Sequence, residues 1–138
     1  MDCVLDASTA LAAVLPDERS GQAEQMLRRF SKNKDGRFLI PELWWHEVSN
    51  ALLSAYRQKR LKEAEMERIA ELLNQWPLRP ESSSGYEFSR RHRALALSHR
   101  LSVYDCVYLE LAERKGLPLA TLDEEMRAAA KRLGISVL

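Results

Sequence analysis

The sequence has few of the residues that mark disulfide-rich, zinc-binding or secreted proteins. Only two of its 138 residues are cysteine, and Cys3 and Cys106 form neither a CxxC pair nor a zinc-ligand spacing. The N-terminal stretch MDCVLDASTALAAVLP lacks a basic start and carries Asp2 and Asp6, which argues against a signal peptide and against a membrane span. We therefore expect a cytoplasmic protein with no disulfide framework and no membrane association.

An excess of charge of one sign is also missing. The 21 Lys+Arg and 20 Asp+Glu residues leave a formal net charge of +1, so a nucleic-acid partner would have to be held by a local patch rather than by bulk charge. Repeats, low-complexity tracts and linkers are absent as well. The hydrophobic fraction of 46% is sufficient for one core, and the length suits one domain. We expect a single domain over residues 1–138.

Short apolar segments alternate with longer segments of helical periodicity along the chain. This order predicts an α/β fold in which a central parallel sheet is covered by helices on both faces, as a three-layer sandwich. The predicted strands are CVL, RFLI, PLRPES, PLATL and ISVL, the third being short or at an edge because it contains Pro80. The predicted helices are STALAAVL, residues 17–30, ELWWHEVSNALLSAYRQKR, LKEAEMERIAELLNQW, GYEFSRRHRALALSHR, SVYDCVYLELAERKG and DEEMRAAAKRLG, with a polar turn KNKDG after the second.

Acidic residues stand where two of the predicted strands end. Asp6 follows CVL and Asp123 follows PLATL, so both carboxylates should project from one rim of the sheet if these strands are parallel. Asp105 lies in the first turn of a predicted helix, and Glu47 has largely apolar helical neighbours, where an unpaired acid is costly. Carboxylates without a matching Cys/His set suit Mg²⁺ or Mn²⁺, ions that can activate water and assist phosphodiester cleavage.

Each of these acids also has a purely structural explanation. Asp6 and Asp123 are good N-cap residues, and Asp105, three residues after Ser102, fits a capping box. Glu47 could be the partner of an arginine. The residues by themselves leave both explanations open.

Four segments together resemble a known family. VLDASTAL, PELWWHEVSNAL, SVYDCVYLELA and LATLD occur in the order and rough spacing of a PIN-domain nuclease, and LPDE and AAAKRLGISVL resemble its VapC toxin subgroup. The resemblance spans nearly the whole chain. It implies a parallel sheet of about five strands in the order 3-2-1-4-5, metal-dependent endoribonuclease activity, a homodimer, and inhibition by a small antitoxin protein.

The resemblance also implies site residues. The acidic quartet that binds metal and supports catalysis corresponds to Asp6, Glu47, Asp105 and Asp123, and the supporting positions correspond to Ser8, Thr121 and Asn50. Asp6 and Asp123 would bind the principal Mg²⁺, or Mn²⁺, and Asp105 would complete the cluster. Glu47 would hold a second ion or position a water, as in hydrolysis of the two-metal type. Ser8 and Thr121 would hydrogen-bond the carboxylates or their waters.

Other polar and aromatic residues have weaker functional interpretations. The densest basic stretch could follow RNA phosphates, although such runs are often only solvated helix faces. Without a spaced partner, His46 and His92 are more readily structural than acid/base groups. Trp44 and Trp45 are adjacent on a helix, so at least one should be partly exposed or lie at an interface. The basic candidates for RNA binding are Arg90, Arg91, Arg93 and Arg100.

Other functions compete with the toxin interpretation. An aspartyl phosphatase would use Asp6 as its nucleophile, but that mechanism resembles families with a second Asp two residues on, where this chain has Ser8. A non-catalytic module that binds RNA or protein would use the acids only as caps. A housekeeping RNA-processing nuclease would share the chemistry and differ in its biological partners.

Overall fold

A four-stranded parallel sheet forms the centre of the protein. The computed structural model describes residues 1–18, 21–31 and 35–138. Its strands are β1 (Cys3–Leu5), β2 (Phe38–Pro41), β3 (Leu78–Glu81) and β4 (Leu119–Ala120). They pair in the order β3-β2-β1-β4, and every pair is parallel. The expected α/β class and the order of the first four strands are thereby confirmed, with the Pro80 strand at an edge.

The fifth predicted strand, ISVL, is reduced to a single parallel bridge between Leu119 and Val137. Leu119 N donates to Ser136 O over 2.8 Å, and Leu138 N donates to Leu119 O over 3.1 Å. Because β4 has only two residues, it offers little backbone for further pairing. The segment lies beside β4, where the order 3-2-1-4-5 puts it, but the expectation of about five full strands is corrected to four.

Seven helices surround the sheet in the described residues. Helix α6 packs on β1, β2 and β4, and α5 and α7 pack on α6 in turn. Among the remaining helices, α1 contacts α2 and α3, and α3 contacts α4. The helices are α1 (Ala7–Val14), α2 (Gly21–Ser31), α3 (Leu43–Arg57), α4 (Glu63–Asn74), α5 (Tyr86–His99), α6 (Val103–Lys115) and α7 (Glu124–Arg132).

The burial of β1 shows that both faces of the sheet are covered. Cys3, Val4 and Leu5 are all inaccessible to solvent. Successive side chains of a strand point to opposite faces, so helices must cover both sides, as expected for a three-layer sandwich. In α3, Trp44 is fully buried and Trp45 is half-buried, with the rings in edge-to-face contact at 5.0 Å. This confirms that the adjacent tryptophans cannot both lie in the core.

Helix α2 differs from the helix predicted over 17–30. Asp17 and Glu18 lie in a turn, in which Glu18 N donates to Leu15 O over 3.2 Å. Both carboxylates also bind Arg60, 42 or 43 residues further on, and this long-range ion pairing competes with helical continuation. Residues 19–20 and most of the predicted turn KNKDG, 32–34, lie outside the described residues. No helix of the described chain is long and apolar enough to cross a bilayer.

Candidate functional site

The register of β1 and β4 brings the two strand-end acids to one edge of the sheet. Leu5 is paired with Ala120, and Asp6 N donates to Ala120 O over 3.1 Å. Asp6 and Thr121 therefore leave the sheet side by side, and Asp123 follows two residues later. The shared rim predicted from the sequence is confirmed.

Asp6 is an almost fully buried carboxylate held by three donors. Its side chain is 4% exposed. Oδ2 accepts hydrogen bonds from Thr121 Oγ1 (2.8 Å) and Ser8 Oγ (2.9 Å), and Oδ1 accepts one from Ser8 N (3.2 Å). Burial raises the pKa of Asp6, the bonds from Thr121 and Ser8 oppose this rise, and the negative charge of Asp123 adds to it. Ser8 and Thr121 thus contact the carboxylate as the resemblance implied.

Thr121 joins Asp6 to the loop that carries Asp123. Its hydroxyl oxygen accepts a hydrogen bond from Asp123 N over 3.1 Å while its hydrogen is donated to Asp6. Thr9, also buried, accepts a hydrogen bond from Leu122 N over 3.1 Å. Asp123 Oδ1 accepts from Met126 N over 2.9 Å at the start of α7. The loop between β4 and α7 is therefore fixed at both of its flanks.

Asp6 and Asp123 do cap helices, as the structural explanation predicted. Asp6 is the N-cap of α1 and Asp123 is the N-cap of α7. Capping engages Oδ1 of each carboxylate, and Oδ2 of Asp123 has no described hydrogen-bond partner. A cap and a ligand role are compatible because a carboxylate can accept about four hydrogen bonds or coordinate bonds. Capping alone therefore does not exclude function.

Asp105 projects from the first turn of α6 beside the same acids. Ser102 is the N-cap, and its Oγ accepts from Asp105 N over 3.1 Å. Burial raises the pKa of Asp105, a hydrogen bond from Ser102 opposes the rise, and the charges of Asp123, Asp6 and Glu125 add to it. The carboxylate is half-buried. The cap therefore fixes the backbone at Asp105, and its carboxylate lies close enough to the other acids for their charges to act on it.

Glu47 is held by a tyrosine rather than by an arginine. The hydroxyl of Tyr108 on α6 donates to Glu47 Oε1 on α3 over 2.7 Å. Burial raises the pKa of Glu47, the bond from Tyr108 lowers it, and the charges of Asp6 and Asp105 raise it further. Of the two explanations left open by the sequence, an arginine partner is not found among the described residues, where the donor to Glu47 is Tyr108.

The charges of the four acids influence one another, so these carboxylates form one electrostatic group. The charge of Asp123 raises the pKa of Asp6, and the charges of both raise the pKa of Asp105. The charges of Asp6 and Asp105 raise the pKa of Glu47. In the described part of the chain no three acids, histidines or cysteines stand in a ready-made ligand cage. An all-carboxylate, open arrangement fits Mg²⁺, which keeps several waters and uses one or two carboxylates as direct ligands. The residues present thus fit a hydrated hard cation.

Three residues at the site were not singled out from the sequence. Tyr108 follows Asp105 by three residues, so the helical repeat places both on adjacent parts of one face and would have indicated it. Thr9 follows Asp6 by three residues, and the same spacing would have indicated it. Glu125 lies in the first turn of α7, and only the tertiary arrangement brings its charge near Asp105.

The remaining predicted residues lie away from this cluster or at its margin. Asn50 is exposed one turn after Glu47. Two arginines of α5 lie near acids: Arg90 pairs with Glu87 at 2.9 Å, and Arg91 lies 3.8 Å from Glu110. Arg93 donates to the uncharged hydroxyl of Ser89. Arg100, also exposed, ends α5.

Neither histidine singled out from the sequence contacts the acids. His46 Nδ1 lies 3.3 Å from Glu42 O on the surface of α3. His92 is buried 3.9 Å from Glu110, and burial lowers the pKa of its ring. The two rings are structural or surface groups in this fold, as their lack of a spaced partner indicated.

Comparison with known proteins agrees with this arrangement. The family described as "PIN domain" matches residues 3–132. The chain belongs to the PIN-domain family. Ribonuclease VapC3 of Pyrobaculum aerophilum is 36% identical over 126 residues, which are 91% of this chain and 92% of that protein. This PIN domain therefore has a curated relative that matches it over almost its full length.

Two solved structures share the PIN-domain fold. PAE2754 from Pyrobaculum aerophilum superposes with a TM-score of 0.66 at 21% identity, covering 99% of this chain and 83% of that one. A chain of VapBC2 from Rickettsia felis, solved with a DNA fragment from their promoter, superposes with a TM-score of 0.68 at 13% identity, covering 100% and 98%. At these identities the likeness establishes the fold alone.

Proposed function

We propose that this PIN domain is a metal-dependent endoribonuclease that hydrolyses RNA phosphodiester bonds at the group formed by Asp6, Glu47, Asp105 and Asp123. The observation that carries the proposal is the junction at the β1/β4 edge, where Thr121 binds Asp6 and Asp123 at once. The 36% identity to Ribonuclease VapC3 supports RNA as the substrate. One hydrophobic core spans the described residues, which supports a single nuclease domain.

Asp6 and Asp123 would hold the Mg²⁺, or Mn²⁺, with Asp105 completing the set. When bound, the cation lowers the pKa of water and offsets charge on the phosphodiester. Thr121 and Ser8 hold the Asp6 carboxylate in place, and their hydrogen bonds favour its charged form against the effect of burial on its pKa. Glu47, anchored by Tyr108, would position a second ion or accept a proton from the attacking water. Asp6 is buried under three donors, which makes it a poor nucleophile and disfavours the phosphatase alternative.

The decisive experiment is cleavage of single-stranded RNA by the purified chain. We expect cleavage with Mg²⁺ or Mn²⁺, loss of cleavage with a chelator, and loss in Asp6→Asn and Asp123→Asn variants that still fold. Glu67→Gln is the charge-matched control, since Glu67 is exposed on α4. Full cleavage by a folded Asp6→Asn protein, or none by the parent with either metal, would contradict the proposal.

We further propose that the protein is the toxin of a toxin–antitoxin pair, forms a homodimer and acts in the cytoplasm. The identity to Ribonuclease VapC3 supports the toxin role, and the homodimer and the location are inferred from the family resemblance. Trp45, half-buried on α3, is a candidate contact for a partner. In α1 and at its C-cap, by contrast, Leu11, Ala13 and Leu15 are buried in the core and are not accessible to a partner. A small neighbouring gene product that co-purifies and blocks cleavage would support the pair, and a monomer by light scattering that captures no such product would argue for a housekeeping nuclease.

A further inference from the structure

Tyr104 is a large aromatic side chain left in solvent at the entrance to the acidic group. It lies in the first turn of α6, directly before Asp105, and is 67% exposed. Tyr108, one turn later on the same helix, is 1% exposed and reaches Glu47. Two tyrosines four residues apart therefore share a helix face but have opposite environments.

The direction of helical side chains places the Tyr104 ring outside the Tyr108–Glu47 pair. Residues at i and i+4 lie on one face, and their side chains lean towards the N-terminal end of the helix. Tyr108 contacts Glu47 and the backbone of Ala7. The part of the same helix face that is one turn nearer the N-terminus, which carries Tyr104, therefore extends from the acids towards solvent. Tyr104 is thus at the rim of the site, and Asp105 is its neighbour on the helix.

Packing does not explain the residue at this position. Tyr104 has no hydrogen-bond partner for its hydroxyl within the described part of the chain, and Val103 beside it is 41% exposed. Arg100, which ends α5 in a left-handed conformation (φ 55°), is exposed four residues before Tyr104. The connection between α5 and α6 therefore presents an aromatic ring and a cation next to a group of carboxylates.

We propose that Tyr104 is the stacking platform for one unpaired nucleobase of the RNA substrate, with Arg100 contacting the adjoining phosphate; this rests on the function proposed above. The carboxylates repel the RNA backbone wherever no cation intervenes, so attraction must come from groups at the rim. Aromatic faces bind splayed-out bases of single-stranded RNA with little dependence on sequence. Tyr104 is therefore a substrate-binding residue that selects unpaired RNA over a duplex.

Steady-state cleavage of a single-stranded RNA with Mg²⁺ tests the platform. Tyr104→Ala should raise KM about tenfold, the usual size of one lost base stack, with a smaller change in kcat. Tyr104→Phe and Tyr104→Trp should keep a KM near that of the parent because they retain an aromatic face. Tyr104→Leu should resemble Tyr104→Ala, since it keeps apolar area without a π system.

Tyr86→Ala is the matched control. Tyr86 is also an exposed tyrosine, at 71%, in the first turn of a helix. It stands at the start of α5, about 20 Å along that helix from the α5–α6 connection at 1.5 Å per residue. The KM of the Tyr86→Ala variant should equal that of the parent. RNA carrying 2-aminopurine gives a second readout in the Asp123→Asn background: emission should be quenched on binding when Tyr104 is present and not when it is Ala.

The outcomes separate this proposal from the proposed function. If the parent cleaves RNA and folded Tyr104→Ala or Tyr104→Leu keeps its KM, the stacking platform is overturned and the nuclease stands. If the parent does not cleave RNA, both fall. If Tyr104→Ala instead changes the molecular mass of the RNA-free protein by light scattering and leaves RNA binding intact, the ring belongs to a protein interface and the platform is again overturned.

Discussion

The hydroxyl of Tyr108 donates a 2.7 Å hydrogen bond to Glu47, and this bond joins the two helices that carry the acids lying off the sheet edge. Tyr108 comes from α6, which also supplies Asp105, whereas Glu47 comes from α3. Tyr108 is fully buried, and Glu47 is half-buried between it and solvent. The position of Glu47 relative to Asp105 therefore depends on a side chain that is not itself an acid.

Replacing Tyr108 by Phe should weaken both the fold and cleavage. The change removes one hydroxyl and little volume, and it leaves the half-buried Glu47 carboxylate without its donor, at a cost of about 1 kcal/mol of unfolding free energy. The pKa of Glu47 should rise, since the bond from Tyr108 lowers it. Chemical denaturation and RNA cleavage measure the two effects.

A double-mutant cycle with Glu47→Gln shows whether Tyr108 acts through Glu47. If it does, Tyr108→Phe should lower cleavage much less in the Glu47→Gln background than in the parent, with a coupling free energy above about 0.5 kcal/mol. Additive losses would show that the hydroxyl has another role, for example through its long contact of 3.4 Å with Ala7 N.

Thr121 and Thr9 offer a comparison between a buried hydroxyl that contacts an acid and one that does not. Both side chains are buried, and both hydroxyls accept a backbone N–H of the β4–α7 loop. Only Thr121 also donates to Asp6. We expect Thr121→Val and Thr9→Val each to lower the unfolding free energy by about 1–3 kcal/mol, because each leaves buried polar groups unpaired.

Cleavage should separate the two threonine variants. Thr121→Val removes the 2.8 Å hydrogen bond to Asp6 and should reduce kcat at saturating Mg²⁺, whereas Thr9→Val should keep most of the activity. The comparison is made at a temperature where both variants remain folded by circular dichroism. Equal losses of kcat would mean that loop stability, rather than the bond to Asp6, governs activity.

The sequence predicts the rim of the site well because that rim is a consequence of strand order. Asp6 and Asp123 follow short apolar segments, and a parallel sheet must bring the ends of adjacent strands together. The contact between Glu47 and Tyr108 spans 61 residues and joins two helices, so no local pattern reveals it. Periodicity identifies the faces of α3 and α6 but not which face meets which.

The errors in the predicted elements have the same origin. ISVL has strand propensity, but the length of β4, and not its own composition, limits it to one bridge. Asp17 and Glu18 fall within the helix predicted over 17–30, yet they bind Arg60 from a turn. In each case a partner that is distant in sequence decides the outcome, as tertiary interactions commonly override local preference.

The buried pair His92 and Glu110 predicts a loss of stability in mild acid. Burial lowers the pKa of His92, and the negative charge of Glu110 opposes this lowering. The positive charge of Arg114, which binds Glu110 at 2.8 Å, lowers the pKa of His92 further. The folded protein therefore binds a proton at His92 less readily than the unfolded chain, in which the ring has its ordinary pKa of about 6.5. Stability is full above that pH and decreases as the pH falls below it, by at most about 1.4 kcal/mol per pH unit.

Comparison with His92→Gln isolates this effect. Asp6, Glu47 and Asp105 have raised pKa values and contribute the opposite slope, since their protonated forms favour the folded state. These acids are common to both proteins, so their contribution cancels in the comparison. As the pH falls below about 6.5, the unfolding free energy of the parent should decrease relative to that of His92→Gln. A difference that is constant from neutral to mildly acidic pH would show that His92 titrates normally in the folded state.

Asp105 offers the cleanest test of the acidic group as a metal site, because its carboxylate is not the N-cap of α6. Ser102 caps that helix, so Asp105→Asn keeps the cap and removes one negative charge at nearly constant volume. Burial and the charges of Asp123 and Asp6 raise the pKa of Asp105, which means that its ionised form destabilises the folded protein at neutral pH. The metal-free site therefore carries an electrostatic cost that a cation relieves.

Without metal, we expect Asp105→Asn to be at least as stable as the parent in thermal melts at neutral pH. Added Mg²⁺ should stabilise the parent by RT ln(1 + [L]/Kd), about 1.4 kcal/mol at a concentration tenfold above Kd, and the variant by clearly less. Cleavage should fall in the variant, so activity and metal-free stability move in opposite directions, as is common at functional sites. If the substitution instead lowers the metal-free unfolding free energy by more than about 1 kcal/mol, and Mg²⁺ shifts neither melting temperature, Asp105 is a structural residue and the acidic group does not bind the cation through it.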